Sequence, residues 1–381
     1  MSDVLSLMDQ WGPEKVVSVS HTRSGMKGVL VIDNTARGMG KGGTRMSPTL
    51  TTTEVARLAR VMTWKWAAVD LFYGGAKAGI VGDPAGADKE VVLRAFARAL
   101  SNEVPSEYVF GLDMGLTEDD AAIIQDELGD RGAAVGTDAV LGGVPYDRLG
   151  VTGFGVAEVA HELAAHVDLP LGDARVVVQG LGAVGSAAVR RFAELGATVV
   201  AVSSVHGALY DPDGLDVERL LRLQAEIGDL AVKEYAGGAV HELGFELSVP
   251  ADVLVPAATQ DVIDERVADR ITARLVVEGA NLPTTPAAQR ILADRGIVVA
   301  PDFIANAGGV VAAGFAMDAR YSAFRPDPEL IRASVSTKLR ENAVRAHEEG
   351  ARRGITSHEA ARSLAQERVY AAMRLKGRVA R

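Results

Sequence analysis

Three lysines stand in company that a lysine without a task rarely keeps. Lys41 lies among glycines in RGMGKGGTRM, Lys65 lies in the helical run MTWKWA, and Lys77 sits in the apolar, glycine-rich stretch FYGGAKAGIVGDP. Asp113 closes the apolar run EYVFGLDMG in the same third of the chain. Lysines are seldom buried unless paired, and cations forced together in a poorly solvated place lower one another's pKa. A lysine so shifted can exchange protons near neutral pH. Two or three ammonium groups and one carboxylate suit a substrate that carries one or two carboxylates and must gain or lose a proton. Gly42 and Gly75, beside Lys41 and Lys77, leave room for it at the backbone.

A second constellation lies farther on. Gly180, Gly182 and Gly185 in QGLGAVG form G-x-G-x-x-G after the strand-like RVVVQ, at the start of a helix whose apolar face is Val184, Ala188, Phe192 and Leu195. That context, with TVVAVS continuing as a strand, predicts a dinucleotide-binding unit. The first glycine permits the turn, the second lets a pyrophosphate approach, and the third lets helix and strand pack. Leu181, Ala183 and Val184 complete the turn, whose free N–H groups would hold the phosphates. The acidic residue expected about twenty positions on is missing: Ser203, Ser204, Val205 and His206 stand there. Without a carboxylate to repel a 2′-phosphate, the reading is NAD or NADP, with NADP favoured.

These residues need a scaffold. KGVLVID (27–33) reads as a strand, and Thr51 with Glu54 opens a helix by a capping-box pattern. Its apolar stripe is Val55, Leu58, Ala59, Met62, Trp66 and Val69, with Lys65 about 20° from Leu58 on the wheel, at the edge of the buried face. AGIVGDP, VVLRAFARALSNE and EYVFGLDMG continue as strand, helix and strand. The alternation predicts α/β architecture: an N-terminal α/β domain with a mostly parallel sheet (1–135), a Rossmann domain (136–325), a cleft between them, and C-terminal helices (326–381) returning to the first domain.

A length of 381 residues suits two domains, and 48% apolar residues can fill both cores. A formal charge of -10 argues against a nucleic-acid partner. The absence of cysteine removes disulfides, thiolate nucleophiles and zinc-thiolate sites. No basic start leads into an apolar run and no span is long enough for a bilayer, so a soluble cytoplasmic protein is expected. His161-Glu162 with His166 misses the zinc spacing H-E-x-x-H by one residue, which turns the two rings about 140° apart. No metal is expected. G-M-G-K-G-G lacks P-loop spacing.

Taken together, KGGTRM, MTWKWA, GGAKAGI, LDMG, VTGFGV, QGLGAVG, PAATQDVI, VVEGANLPTT and PDFIANAGGVV resemble the glutamate, leucine, phenylalanine and valine dehydrogenases, in the same order, from about residue 15 to about residue 320. The resemblance implies reversible oxidative deamination of an L-amino acid to a 2-oxo acid and ammonia with NAD or NADP, in a homo-oligomer built through the first domain. It makes Lys77 the catalytic lysine, Asp113 the acid/base for the amine, Lys65 the anchor of the α-carboxylate and Lys41 the partner of a side-chain carboxylate. Thr152, Asn281 and Asn306 match positions near nicotinamide or substrate, and Ala257 and Ala258 fall on the cofactor side.

The match departs at the substrate side chain. Where glutamate-type members carry a serine after NAGG, this chain has Ala313, and where leucine-type members carry an apolar residue it has Lys41. A buried lysine without a partner is costly, whereas loss of one neutral donor costs less. Glutamate or another polar or acidic amino acid therefore ranks ahead of an aliphatic one. Two further alternatives are a 2-hydroxy-acid dehydrogenase, for which no histidine lies in a suitable motif, and a catalytically silent relative, which need not keep both Lys77 and Asp113.

Overall fold

The computed structural model describes residues 4–146 and 148–379 and divides the chain into two compact units. The first takes the chain as far as Tyr146, with Ala312–Ile331 and the stretch from Ala365 onward. The second takes the intervening chain to Val311, with Arg332–Leu364.

The first unit is built on a six-stranded sheet: β1 (Lys15–His21), β2 (Met26–Asn34), β3 (Gly40–Lys41), β4 (Thr44–Ser47), β5 (Gly74–Val81) and β6 (Tyr108–Val109), in the order β1-β2-β5-β3-β6 with β4 also on β5. The sheet is mixed. β1–β2 and β2–β5 are antiparallel, and β3 and β4 pair β5 in parallel. The paired part of EYVFGLDMG is short; Phe110 and Leu112 add only isolated bridges, to Ala134 and Thr44. One face of the sheet packs on α2 (Lys89–Ala99) and α3 (Glu118–Leu128) through Ile32, Ala76, Ala78, Ile80, Leu93 and Phe96. The other packs on α1 (Thr52–Ala68) through Val29, Val31, Val55 and Ala59.

Helix α1 begins where the sequence predicts. The Thr51 side chain accepts the Glu54 N–H at 3.2 Å, a cap worth about 1 kcal/mol. The Glu54 carboxylate turns away from the cap to Arg45, at 2.9 Å. The helix lies against β5 because residues 75 and 79 carry no side chain. A Cβ on Gly75 would stand 2.0 Å from Thr63 Oγ1, and one on Gly79 2.4 Å from Leu50 Cδ2. With a strand period of two, Lys77 is the one side chain between them on that face.

The second unit holds a seven-stranded sheet ordered β10-β9-β8-β7-β11-β12-β13: β7 (Arg175–Gln179), β8 (Thr198–Ser204), β9 (Gly207–Tyr210), β10 (Ala239–His241), β11 (Val253–Pro256), β12 (Leu275–Val277) and β13 (Val298–Ala300). All neighbours are parallel except the β8–β9 and β9–β10 pairs at one edge. Its helices are α4 (Val151–Ala164), α5 (Ala183–Glu194), α6 (Val217–Ile227), α7 (Ala231–Glu234), α8 (Glu265–Arg270), α9 (Pro286–Asp294) and α10 (Asp302–Ala305). The near-continuous valines of β7, β8 and β11 are what a sheet buried on both faces requires. Three further helices, α11 (Gly308–Ala319), α12 (Pro328–Arg353) and α13 (Ser357–Leu375), each contribute residues to both units. Among the described residues no helix is long and apolar enough to cross a membrane.

Candidate active site

In the first unit the structure brings Lys41, Lys77 and Asp113 into one electrostatic group. Lys77 is only 6% exposed, and its ammonium makes a direct ion pair with the Asp113 carboxylate. Arg45, on β4, donates to the same carboxylate oxygen from 3.3 Å. Burial tends to raise the Asp113 pKa, but Lys77 and Arg45 outweigh it and hold the carboxyl below its ordinary range. Burial pulls the Lys77 amine down, and Asp113 offsets part of that shift. The pair thus sets an amine of reduced basicity against a carboxyl of lowered pKa. Arg45 is a member of this charged group that sequence reasoning missed. Its signal was its place in KGGTRM, one strand step from the glycines.

The glycines set the walls. A Cβ on Gly42 would stand 1.7 Å from the Ala76 carbonyl oxygen, and one on Gly43 2.8 Å from Asp113 Cβ. Tyr108 Oη reaches Gly42 O at 3.1 Å, which pins this loop from below. Lys65, half-buried on α1, precedes Trp66, whose indole N–H donates to the Lys41 carbonyl at 3.1 Å.

Lys41 differs from expectation in its company. Its ammonium donates to the carbonyls of Val109 and Phe110, both at 3.0 Å, with Gly42 O at 3.5 Å. Three acceptors match its three N–H groups, so the partner the sequence reading demanded is supplied by the main chain. Burial, then the charges of Lys77 and Arg320, bring its pKa down to about 7. Ala313, on α11, is half-buried and offers no hydroxyl.

In the second unit two glycines of the turn, Gly180 and Gly185, have a steric reason. Gly180 has φ +89°, and a Cβ there would meet Ala258 at 2.9 Å. A Cβ on Gly185 would lie 1.8 Å from Gly180 O, so only glycine lets α5 sit this close to β7. At Gly182 nothing lies within 4 Å of the Cβ position. The opening at Gly182, beside Leu181 and the first turn of α5 with Ala183 and Val184, fits a pyrophosphate on a helix N-terminus.

At the end of β8 no carboxylate side chain follows the strand. Ser203 Oγ accepts the Gly180 N–H at 3.0 Å, and Ser204 Oγ donates to Asp229 O at 2.7 Å while accepting the His206 N–H at 3.2 Å. Ser203 thus braces the glycine turn and Ser204 the β8–β9 connection, and His206 is exposed. Ala257 packs beside Gly279, so the ends of β7, β11 and β12 meet. Asn306 Nδ2 donates to Asn281 Oδ1 at 3.0 Å and to Ala280 O at 3.1 Å, while its own Oδ1 is buried without a partner. Such an orphaned amide oxygen can accept from a carboxamide, which is the polar group of a nicotinamide. Thr152, in the first turn of α4, packs on the first turn of α11, 3.4 Å from where a Gly309 Cβ would stand.

Beneath this pair lies a cluster the sequence did not announce. Glu278, Asp302 and His358 are buried, with ligand-capable atoms within 4.8 Å of one another. His358 Nε2 and Glu278 Oε2 are 2.7 Å apart, Asp302 N donates to Glu278 at 2.8 Å, and Leu282 N donates to Asp302 at 2.8 Å.

Comparison with known proteins gives a consistent result. The profile of the family "Glutamate/Leucine/Phenylalanine/Valine dehydrogenase" matches residues 142–377, and that of "Glu/Leu/Phe/Val dehydrogenase, dimerisation domain" matches residues 13–130. Glutamate dehydrogenase B of Halobacterium salinarum is 38% identical over 321 residues, 81% of this chain and 74% of that protein. Glutamate dehydrogenase of Aeropyrum pernix is 35% identical over 366 residues, 90% of this chain and 85% of that protein. The crystal structure of hetero-hexameric glutamate dehydrogenase from Thermus thermophilus, in a Leu-bound form, superposes with a TM-score of 0.84 at 31% identity, over 99% of this chain and 93% of that one.

Proposed function

The chain belongs to the Glu/Leu/Phe/Val dehydrogenase family, and from that premise we propose that it catalyses the reversible NAD(P)-dependent oxidative deamination of an L-amino acid to a 2-oxo acid and ammonia. The buried Lys77–Asp113 pair carries this reading. A lysine of lowered pKa can polarise a carbonyl and activate the attacking water, and an ionised aspartate beside it can take a proton from the amine. Lys65 is the anchor for the α-carboxylate, and Gly42 and Gly75 keep the approach to it free of side chains. Gly180, Gly182, Gly185 and the N-terminus of α5 would hold the pyrophosphate, with Thr152, Asn281 and Asn306 toward the nicotinamide. The bound nicotinamide supplies a hydride acceptor; the chain's own residues supply position and proton transfer.

NAD and NADP both suit the turn, and we favour NADP because no carboxylate side chain follows β8. For the substrate, glutamate or another acidic or polar amino acid comes first, in line with the glutamate dehydrogenases it resembles. An aliphatic amino acid is the second reading, favoured by the main-chain satisfaction of Lys41 and by Ala313. A homo-oligomer formed through the first unit is supported by the match of residues 13–130 to a dimerisation domain and by the position of β1 at the sheet edge.

The test is cofactor reduction over a panel of L-amino acids with each nicotinamide. Turnover of one amino-acid class, lost in Lys77→Ala, is expected. Cofactor binding without reduction on any of them would show a silent relative instead.

A further inference from the structure

Away from the Lys77–Asp113 pair, the first unit holds a second cationic feature. A narrow cavity opens among Gln125 of α3, the loop stretches 134–137 and 141–144, and the end of α11, where Arg320 follows the last turn; Arg131 stands on its rim. Arg320 is half-buried. Its Nη1 donates to Met317 O at 2.6 Å, which caps α11, and its guanidinium lies 5.3 Å from the Tyr321 ring centroid. Its Nε is buried and has no partner.

The arginines of this unit generally meet acids: Arg37 with Asp70, Arg45 with Glu54, Arg60 with Asp33 and Arg94 with Glu90. Among the described residues no carboxylate lies within ion-pair distance of either Arg131 or Arg320. A partly desolvated guanidinium with an empty N–H is costly unless an anion completes it, and the planar fork suits a carboxylate. The loop is held open by glycines: Gly136 and Gly142 have φ +93° and +79°, and a Cβ on Gly143 would overlap Thr137 O. Gln125 fixes its start by donating to the carbonyls of Arg131 and Ala134, both at 2.7 Å. The space is half open and holds about 20 Å³, room for one or two water-sized groups, so the tip of a small polar group can enter it while the rest stays at the rim.

We propose that this cavity is an anion site that takes a carboxylate head group, with Arg320 as principal ligand and Arg131 at the rim. Arg320 lies seven residues after Ala313, so on nearly the same side of the helical path and about 10 Å along it. It also contributes to the lowering of the Lys41 pKa, so the two cations feel one another. The carboxylate has two sources: the side chain of an acidic substrate, a case that rests on the function proposed above, or a separate small carboxylate effector.

The test is calorimetric titration of the full chain with glutarate, a dicarboxylate with no amine to oxidise, for wild type, Arg320→Gln, Arg320→Lys and Arg131→Gln. Glutarate affinity is expected to fall about tenfold or more in R320Q, the loss of a charge-assisted contact. R320K is expected to keep part of it, R131Q to show a smaller loss, and NAD(P) affinity to stay unchanged in all three. Competition of glutarate with the amino acid in steady-state kinetics identifies the substrate side chain as source, and an effect on turnover without competition identifies an effector. Because binding is read without turnover, an inactive protein leaves the test intact. No saturable binding to wild type, or equal affinity in R320Q and wild type, overturns the proposal. If R320Q fails to fold, an R131Q affinity equal to that of wild type overturns it.

Discussion

Lys77 and Asp113 stand in direct contact on the α1 face of the first sheet, with Arg45 on the same carboxylate oxygen. The aspartate is thus flanked by two cations, one of which can lose its proton and one of which cannot. Lys77→Ala and Asp113→Asn are each expected to lower kcat by about 10²–10⁴, the range for loss of a positioned acid–base group. NAD(P) affinity should stay at the wild-type value. Undiminished turnover in either variant would remove the catalytic assignment.

Lys41 predicts a pH dependence. Its folded pKa is about 7, against an ordinary 10.5. Below about pH 7 the folded and unfolded chains both carry the charge. Between about 7 and 10.5 only the unfolded chain does, so unfolding takes up a proton and stability rises with pH. Lys41→Met cannot titrate, so its stability relative to wild type should fall as pH rises from 6.5 to 9.5 in urea denaturation. The shift is of order a few kcal/mol. A difference independent of pH would contradict the buried, depressed amine.

Gly182 and Gly185 should respond in opposite ways to the same methyl group. At 185 a Cβ meets Gly180 O, so Gly185→Ala should lose stability by about 1–3 kcal/mol, as overpacking does. At 182 the space is open and φ is -76°, so Gly182→Ala should melt like the wild type. Its methyl group would occupy the approach to the turn, and NAD(P) affinity should fall about tenfold or more by fluorescence titration. Full affinity in G182A would place the pyrophosphate elsewhere.

His358 and Glu278 form a buried pair, 2.7 Å apart, under the loop that carries Asn281. Burial disfavours the imidazolium, but Glu278 and then Asp302 outweigh it, so the His358 pKa is raised, with Arg362 a minor opposing charge. A raised histidine contributes its full stabilisation below its unfolded value of 6.5 and loses it as pH climbs through the folded value. His358→Gln should therefore cost most near pH 6, ~3 kcal/mol for a broken buried pair, and less at pH 9. Thermal melts at the two pH values decide it, and an equal cost at both would show a packing role alone.

Much of this protein was legible from local pattern. The turn QGLGAVG announced its strand, its helix and the steric need for glycine at 180 and 185, because steric limits on a tight turn act within a few residues. Lys77 and Asp113 stood out because their apolar neighbours made a charge conspicuous. The start of α1 followed from Thr51 and Glu54, since a cap is a contact three residues long. What the residues near Lys41 could not say was that the carbonyls of Val109 and Phe110, nearly seventy positions away, would satisfy its ammonium. Only strand order decides that, when β6 is laid beside β3. Arg45 on Asp113 and His358 on Glu278 belong to the same class. Each depends on side chains far apart in the chain meeting at one point, and partners at that range leave no periodic trace in the sequence.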